Sequence, residues 1–161
     1  MTLPRAVTLR PARAADAQAM AAMSRDLIEA GLAWRYTPAR MAVLIADPEV
    51  VALVACDGPR LLGLAVMQFG DVHAHLALLC VQPHWQRQGV GLRLHDWLLL
   101  SAQVAGIAAI RLELRADNAA AHAFYSRLGF IETQLVPGYY DGLVTARRMT
   151  LGLRETPPQK P

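Results

Sequence analysis

The sequence predicts an α+β fold: a mixed, mostly antiparallel sheet of about seven strands flanked by about four helices. Three observations lead there. Short β-rich apolar runs recur along the chain. Between them lie segments whose apolar residues recur at helical spacing and end in capping or glycine stop signals. The order that results is β-α-α-β-β-β-α-β-α-β-β, so some strands follow one another through tight turns and others are joined through helices. That order mixes antiparallel and parallel neighbours.

The elements follow in sequence. Val7–Arg10 reads as a short strand. Ala14–Gly31 reads as a helix: Asp16 suits an N-cap, Ala19, Met20, Met23, Leu27 and Ile28 share helical spacing, and Gly31 ends it. Thr37-Pro38 opens a second helix, cap followed by first-turn proline, that runs to about Asp47-Pro48. Val50–Ala55, Leu61–Phe69 and His73–Val81 then form a meander, with Asp57-Gly58-Pro59 as one turn and Pro83 closing the last strand. A long helix from about Gly89 to Ala105 is stopped by Gly106. Ile107–Leu114 is a strand, Asn118–Leu128 a helix capped by Asp117 or Asn118, and Phe130–Val136 and Thr145–Leu151 are the last strands. The folded unit is expected to be one domain over 1–152, with a disordered tail over 153–161.

Composition narrows the classes. The chain has 161 residues, 54% apolar and 18% charged, which suits one domain with a true core and excludes wholesale disorder. Its longest stretch without Asp, Glu, Lys or Arg is Val72–Gln86, interrupted by three His and Pro83, whereas a spanning helix needs about 20 apolar residues. The start, Met1–Arg5, has no apolar segment of the kind that directs secretion, so a cytoplasmic location is expected. Cys56 and Cys80 sit in apolar runs and read as two buried thiols. The net charge of +3 comes from scattered residues, so no nucleic-acid surface is expected, but a small anionic ligand suits the balance.

One segment points to such an anion. In Gln86-Arg87-Gln88-Gly89-Val90-Gly91-Leu92 a strand has just ended and a helix begins through two glycines. A helix start carries unpaired N–H groups and about half a positive charge, and glycine lets a phosphate approach the backbone. It is not a P-loop, because the chain's one Lys is Lys160. A dinucleotide fingerprint would need a third glycine where Leu94 stands. Taken alone, the segment also fits a tight turn feeding a packed helix. A second segment runs from Leu112 to Phe130. Asn118 there suits a helix cap, and Phe124 and Tyr125 suit packing.

Together the two segments resemble the GNAT superfamily of acyl-CoA-dependent N-acetyltransferases. Gln86-Arg87-Gln88-Gly89-Val90-Gly91 matches its pyrophosphate loop, Gln/Arg-x-x-Gly-x-Gly/Ala. Asn118, Ala121, Phe124, Tyr125, Leu128, Gly129 and Phe130 match its later signature. The resemblance implies a sheet splayed between the fourth and fifth strands, and acetyl-CoA as co-substrate. Backbone groups of Leu79, Cys80 and Val81 would pair with the pantetheine arm. N–H groups of Arg87–Leu92, Val90 among them, would hold the pyrophosphate. Asn118 would touch the cofactor near the thioester, and Tyr125 would protonate the departing thiolate. Within the superfamily, Leu112–Asn118 and Gly138-Tyr139-Tyr140 are similar to bacterial ribosomal-protein N-alpha-acetyltransferases, whose general base matches Glu113. Where those enzymes commonly carry an acidic pair, this chain has Val144-Thr145 before Ala146-Arg147-Arg148-Met149.

Acetyl transfer needs a neutral amine, although an alkyl ammonium has a pKa of about 10, and so it needs a proton acceptor. Glu113 is the favoured base. It shares a strand face with Ile107, Ala109 and Arg111, and its other reading is an exposed carboxylate paired with Arg111 or Arg115. His75 is the rival, and it shares a face with His73; an imidazole titrates near neutrality. No third ligand stands at a fitting spacing for a metal, and none is expected. His84, His95 and His122 read as surface or loop residues. The expected activity is transfer of acetyl from acetyl-CoA to a primary amine on a small molecule or a protein N-terminus. The alternative is a non-catalytic module that binds acyl-CoA as a sensor or partner domain. No membrane partner is expected, and a homodimer is left open.

Overall fold

The computed structural model describes residues 6–153, so the tail expected over 153–161 lies outside the described residues apart from Leu153. The elements are β1 (Thr8–Pro11), α1 (Ala17–Leu27), α2 (Pro38–Ala46), β2 (Val50–Asp57), β3 (Arg60–Phe69) and β4 (His73–Val81). After these come α3 (Val90–Val104), β5 (Ala109–Arg115), α4 (Ala119–Arg127), β6 (Ile131–Tyr140) and β7 (Val144–Gly152). Short 3-10 turns precede α1 and follow β4. The strands form one sheet in the order β1-β2-β3-β4-β5-β7-β6. The β4–β5 pair is parallel, and β1–β2, β2–β3, β5–β7 and β6–β7 are antiparallel. The mixed, mostly antiparallel α+β sheet expected from the element order is therefore present. Among the described residues, no helix is long and apolar enough to cross a membrane.

The chain divides into two compact units. One holds the described part of Met1–Phe69 with Leu76–Leu100; the other holds Gly70–His75 with the described part of Ser101–Pro161. In the first unit, α1 and α2 lay Met20, Met23, Met41 and Leu44 against Val54, Leu64, Val66 and Leu78 of the strands. Thr37 caps α2 by accepting from Arg40 N at 3.3 Å, with Pro38 in the first turn. Gly63 lets β3 run close to β4: a Cβ there would meet the Cys80 carbonyl oxygen at 3.0 Å.

Helix α1 ends at Leu27, short of the expected Gly31. The reason is Glu29, a buried carboxylate. It accepts from Ser24 Oγ at 2.9 Å, Arg35 N at 2.7 Å and Tyr36 N at 3.2 Å, which turns the chain out of the helix. Asp16 immediately precedes α1 but makes no side-chain cap to it. Its carboxylate accepts from Arg13 N at 2.7 Å and pairs with Arg10 at 2.7 Å.

In the second unit β5 alternates as expected: Ile110, Leu112 and Leu114 are buried, while Ala109, Arg111, Glu113 and Arg115 are less so. Buried Met149 of β7 stands opposite Leu112, and Tyr125 of α4 and Phe130 are also buried. Strand β6 runs past the expected Val136 to Tyr140, because a register shift between Val136 and Tyr140 absorbs Pro137, which has no N–H to donate. The β4–β5 ladder has three pairs, His73↔Ala109, Ala74↔Ile110 and His75↔Arg111. It ends there although β4 continues to Val81 and β5 to Arg115.

Candidate active site

Strand β4 hands over to α3 through a loop fastened by its own side chains. Gln86 Nε2 donates to Val81 O at 3.0 Å, and Gln88 Nε2 donates to His84 O at 3.1 Å. Arg87 and Gly89 are left-handed, with φ of 61° and 82°. Such alternation turns successive N–H groups into a concave anion cradle, and α3 begins directly afterwards at Val90. An ideal Cβ on Gly89 would meet nothing within 4 Å, so the space outside the backbone there is open. Gln86, Arg87, Gln88 and Gly89 thus form the loop, and Val90, Gly91 and Leu92 the first turn of the helix. Leu79 and Cys80 are half-buried on the closing stretch of β4, and Val81 is buried. The Val81 carbonyl is already engaged by Gln86.

In the second unit the two rival bases meet. His75 Nε2 lies 2.6 Å from Glu113 Oε2. Glu113 Oε1 accepts from Arg148 Nε at 3.0 Å, and Arg148 Nη1 donates to Gln134 Oε1 at 2.8 Å. Glu113↔Arg148 and Gln134↔Arg148 are ladder partners, so these side chains stand in one row across β5, β7 and β6. Glu113 is therefore neither exposed nor held by Arg111 or Arg115. Its partners come from other strands, and Arg148 went unassigned in the sequence because β7's register is invisible there. Burial raises the Glu113 pKa, but the hydrogen bonds and charges of His75 and Arg148 outweigh it and hold the carboxyl below its ordinary value. An ionised carboxylate only accepts, so His75 Nε2 carries the proton and Nδ1 of the neutral ring has the lone pair. His73 also lies on this face, and its Nε2 accepts from Arg111 Nη2 at 3.2 Å.

Asn118 is the N-cap of α4, its Oδ1 accepting from Ala121 N at 3.0 Å. Tyr125 is buried between Phe124 and Phe130, edge-on to both, with ring centroids 5.1 Å and 5.4 Å away. Both residues thus have structural work besides any part in chemistry.

His95 corrects the sequence reading. It is 2% exposed, on the inner face of α3, and burial lowers its pKa; the smaller effect of Asp96 opposes this. His84 is exposed, and His122 lies 3.9 Å from Glu132. Both cysteines are free thiols; burial raises Cys56 and pushes Cys80 up to about 12, so neither is an activated nucleophile. Among the described residues, no group of three His, Cys, Asp or Glu is placed to hold a metal ion.

The chain is similar to known N-acetyltransferases. The chain is 38% identical over 81 residues to the [ribosomal protein bS18]-alanine N-acetyltransferase of Escherichia coli K12, which is 50% of this chain and 55% of that protein. It thus spans about half the length of the bS18 relatives that it matches. It is 34% identical over 121 residues to N-alpha-acetyltransferase 30 of Schizosaccharomyces pombe, covering 71% of this chain and 80% of that protein. The crystal structure of the ribosomal-protein-S18-alanine N-acetyltransferase from Escherichia coli superposes with a TM-score of 0.79 at 27% identity, covering 96% and 99% of the two chains. The Acetyltransferase (GNAT) family matches residues 20–130, a span that takes in both the loop entering α3 and the α4 signature, and the chain belongs to that family.

Proposed function

We propose that this protein moves an acetyl group from acetyl-CoA to a primary amine by direct attack on the thioester. The acceptor is the N-terminal amine of a protein or peptide, or an amine on a small molecule. One observation carries the reading: left-handed Arg87 and Gly89, with open space outside the backbone, directly before the first turn of α3. A loop of that conformation can present backbone N–H groups to a pyrophosphate, which supports the reading. The family match, which runs through both compact units, supports treating 1–152 as a single acetyltransferase domain.

The proposed roles follow from the chemistry. N–H groups of Arg87–Leu92 bind the pyrophosphate, and the β4 backbone at Leu79–Val81 lies beside the pantetheine arm. When bound, acetyl-CoA supplies an activated acyl carbon with a thiolate as leaving group. The His75–Glu113 pair takes the proton that the amine must lose. Asn118 contacts the cofactor near the thioester, and the Tyr125 hydroxyl gives its proton to the departing sulfur. The two raised cysteine pKa values support direct transfer, since an acyl-enzyme would need an activated nucleophile.

The test is release of free CoA thiol on incubation with acetyl-CoA and a panel of amines. The panel includes an alanine-initiated hexapeptide and small alkyl amines, with acetylated product identified by mass spectrometry. Thiol release matched by acetylated amine is the expected result. Tight acetyl-CoA binding with no transfer to any acceptor would instead make the protein a non-catalytic acyl-CoA-binding module.

A further inference from the structure

We infer that Arg148 is a positioning residue for this reaction: it fixes Glu113 as a proton acceptor, Glu113 holds the His75 proton on Nε2, and His75 Nδ1 takes the proton from the amine. The inference rests on the acetyltransferase reading and narrows its base from a pair of residues to one atom.

Geometry separates the two members of the pair. Both oxygens of Glu113 are committed, Oε2 to His75 and Oε1 to Arg148. The Glu113 side chain is 11% exposed, whereas that of His75 is 40% exposed. An incoming amine can therefore meet the imidazole more readily than the enclosed carboxylate. A carboxylate held below its ordinary value is also a weak acceptor for an amine proton, since proton transfer works best near the operating pH. Arg148 is itself held from two sides, by Glu113 on β5 and Gln134 on β6. The line Gln134–Arg148–Glu113–His75 thus crosses four strands. The charged groups facing His75 are Glu113 and its register partner Arg111 on β5, His73 on its own strand and, beyond Glu113, Arg148.

The step balances. The amine lone pair forms the N–C bond while a proton passes from that nitrogen to His75 Nδ1. The C–S bond breaks with its electron pair on sulfur, and the Tyr125 hydroxyl protonates the sulfur. His75 then gives its proton to water, and the tyrosinate regains one from water. Glu113, Arg148 and Gln134 keep their protonation throughout.

The experiment uses the full chain, acetyl-CoA and the alanine-initiated hexapeptide. Glu113→Gln should lower kcat by up to about 10²-fold through misplacement of the imidazole. The acidic limb of its kcat/KM profile should persist, because the imidazole is still present. His75→Gln should lose about 10²–10⁴-fold and the limb with it. Arg148→Met should lower kcat with the peptide KM nearly unchanged, and Arg148→Lys, which keeps a charge and a donor, should regain much of the loss. A limb abolished by Glu113→Gln and kept by His75→Gln would overturn the assignment to His75. A wild-type kcat in Arg148→Met would overturn the role of Arg148. An acceptor-free readout accompanies these: the downfield Nε2–H proton resonance of His75, present in the wild type and Arg148→Lys and absent in Glu113→Ala, which leaves no acceptor on that side chain. A wild type that shows this resonance but acetylates none of the amines overturns the acetyltransferase reading, while the hydrogen-bonded line stands. A wild type that acetylates the peptide without the resonance overturns the line.

Discussion

Glu113 Oε2 lies 2.6 Å from His75 Nε2, beside the end of the three-pair parallel ladder that joins β5 to β4. The two residues are 38 positions apart in the chain. Either side chain alone is a candidate base; together they are hydrogen-bonded, and Arg148 donates to the other oxygen of Glu113. The same contact makes the pair sensitive to pH in a defined direction, and it belongs to a set of expectations that can be measured one by one.

Acetyl-CoA should raise the melting temperature, since it binds only the folded chain; at 100 times its Kd the gain is about 2.7 kcal/mol. Gly89→Val should weaken that binding. The cause is not crowding, because a Cβ there meets nothing within 4 Å, but backbone conformation. A φ of 82° costs a non-glycine residue about 1–2 kcal/mol, and a branched one more, so the loop would relax away from the cradle. Calorimetric titration should show a weaker Kd with the fold retained. An unchanged Kd would remove the loop from the binding site.

Tyr125→Phe should leave acetyl-CoA binding nearly unchanged and lower kcat by about 10²–10⁴-fold if the hydroxyl is the acid. The ring would stay packed edge-on to Phe124 and Phe130, so the variant isolates the hydroxyl. Single-turnover rates at saturating acetyl-CoA measure it. Equal rates would leave Tyr125 with packing alone.

Two acid-sensitive windows should separate. Burial lowers the His95 pKa in the folded chain, so below about 6.5 the unfolded state takes up the proton first and stability falls with falling pH. Glu113 is likewise lowered, despite its burial, by His75 and Arg148, so its stabilising contribution is present above about 4.5 and is lost as pH falls below that. Urea midpoints between pH 8 and about pH 3 should fall in two stages. His95→Leu should flatten the first stage and Glu113→Gln the second. A first stage unchanged in His95→Leu would assign it elsewhere.

Glu29→Ala should destabilise the first unit by about 2–4 kcal/mol, since buried Ser24 Oγ and the partly buried Arg35 N and Tyr36 N would all lose that acceptor. Glu29→Gln, which keeps one carbonyl acceptor, should cost less. Chemical denaturation of the two variants measures the difference. Equal, small effects would mean that water replaces the carboxylate and that α1 ends at Leu27 for another reason.

The sequence by itself determined the element order, because alternation, helical spacing, Thr37-Pro38 and Asn118 are local signals that need no distant partner. It also singled out the loop that enters α3, because glycines opening a helix after a strand act through the backbone, which spacing alone describes. It determined which face of β5 is polar, and so that Glu113 and Arg111 share it. Only the tertiary structure decided what Glu113 touches. His75 and Arg148 reach it from strands whose register depends on packing across the sheet, and a slip of one residue would turn either side chain to the other face. The same holds for His95, a helical residue whose polarity argues for the surface and whose place on the inner face of α3 argues for burial. Packing decides such a case, because a helix can bury a polar residue only against neighbours that the local sequence does not name.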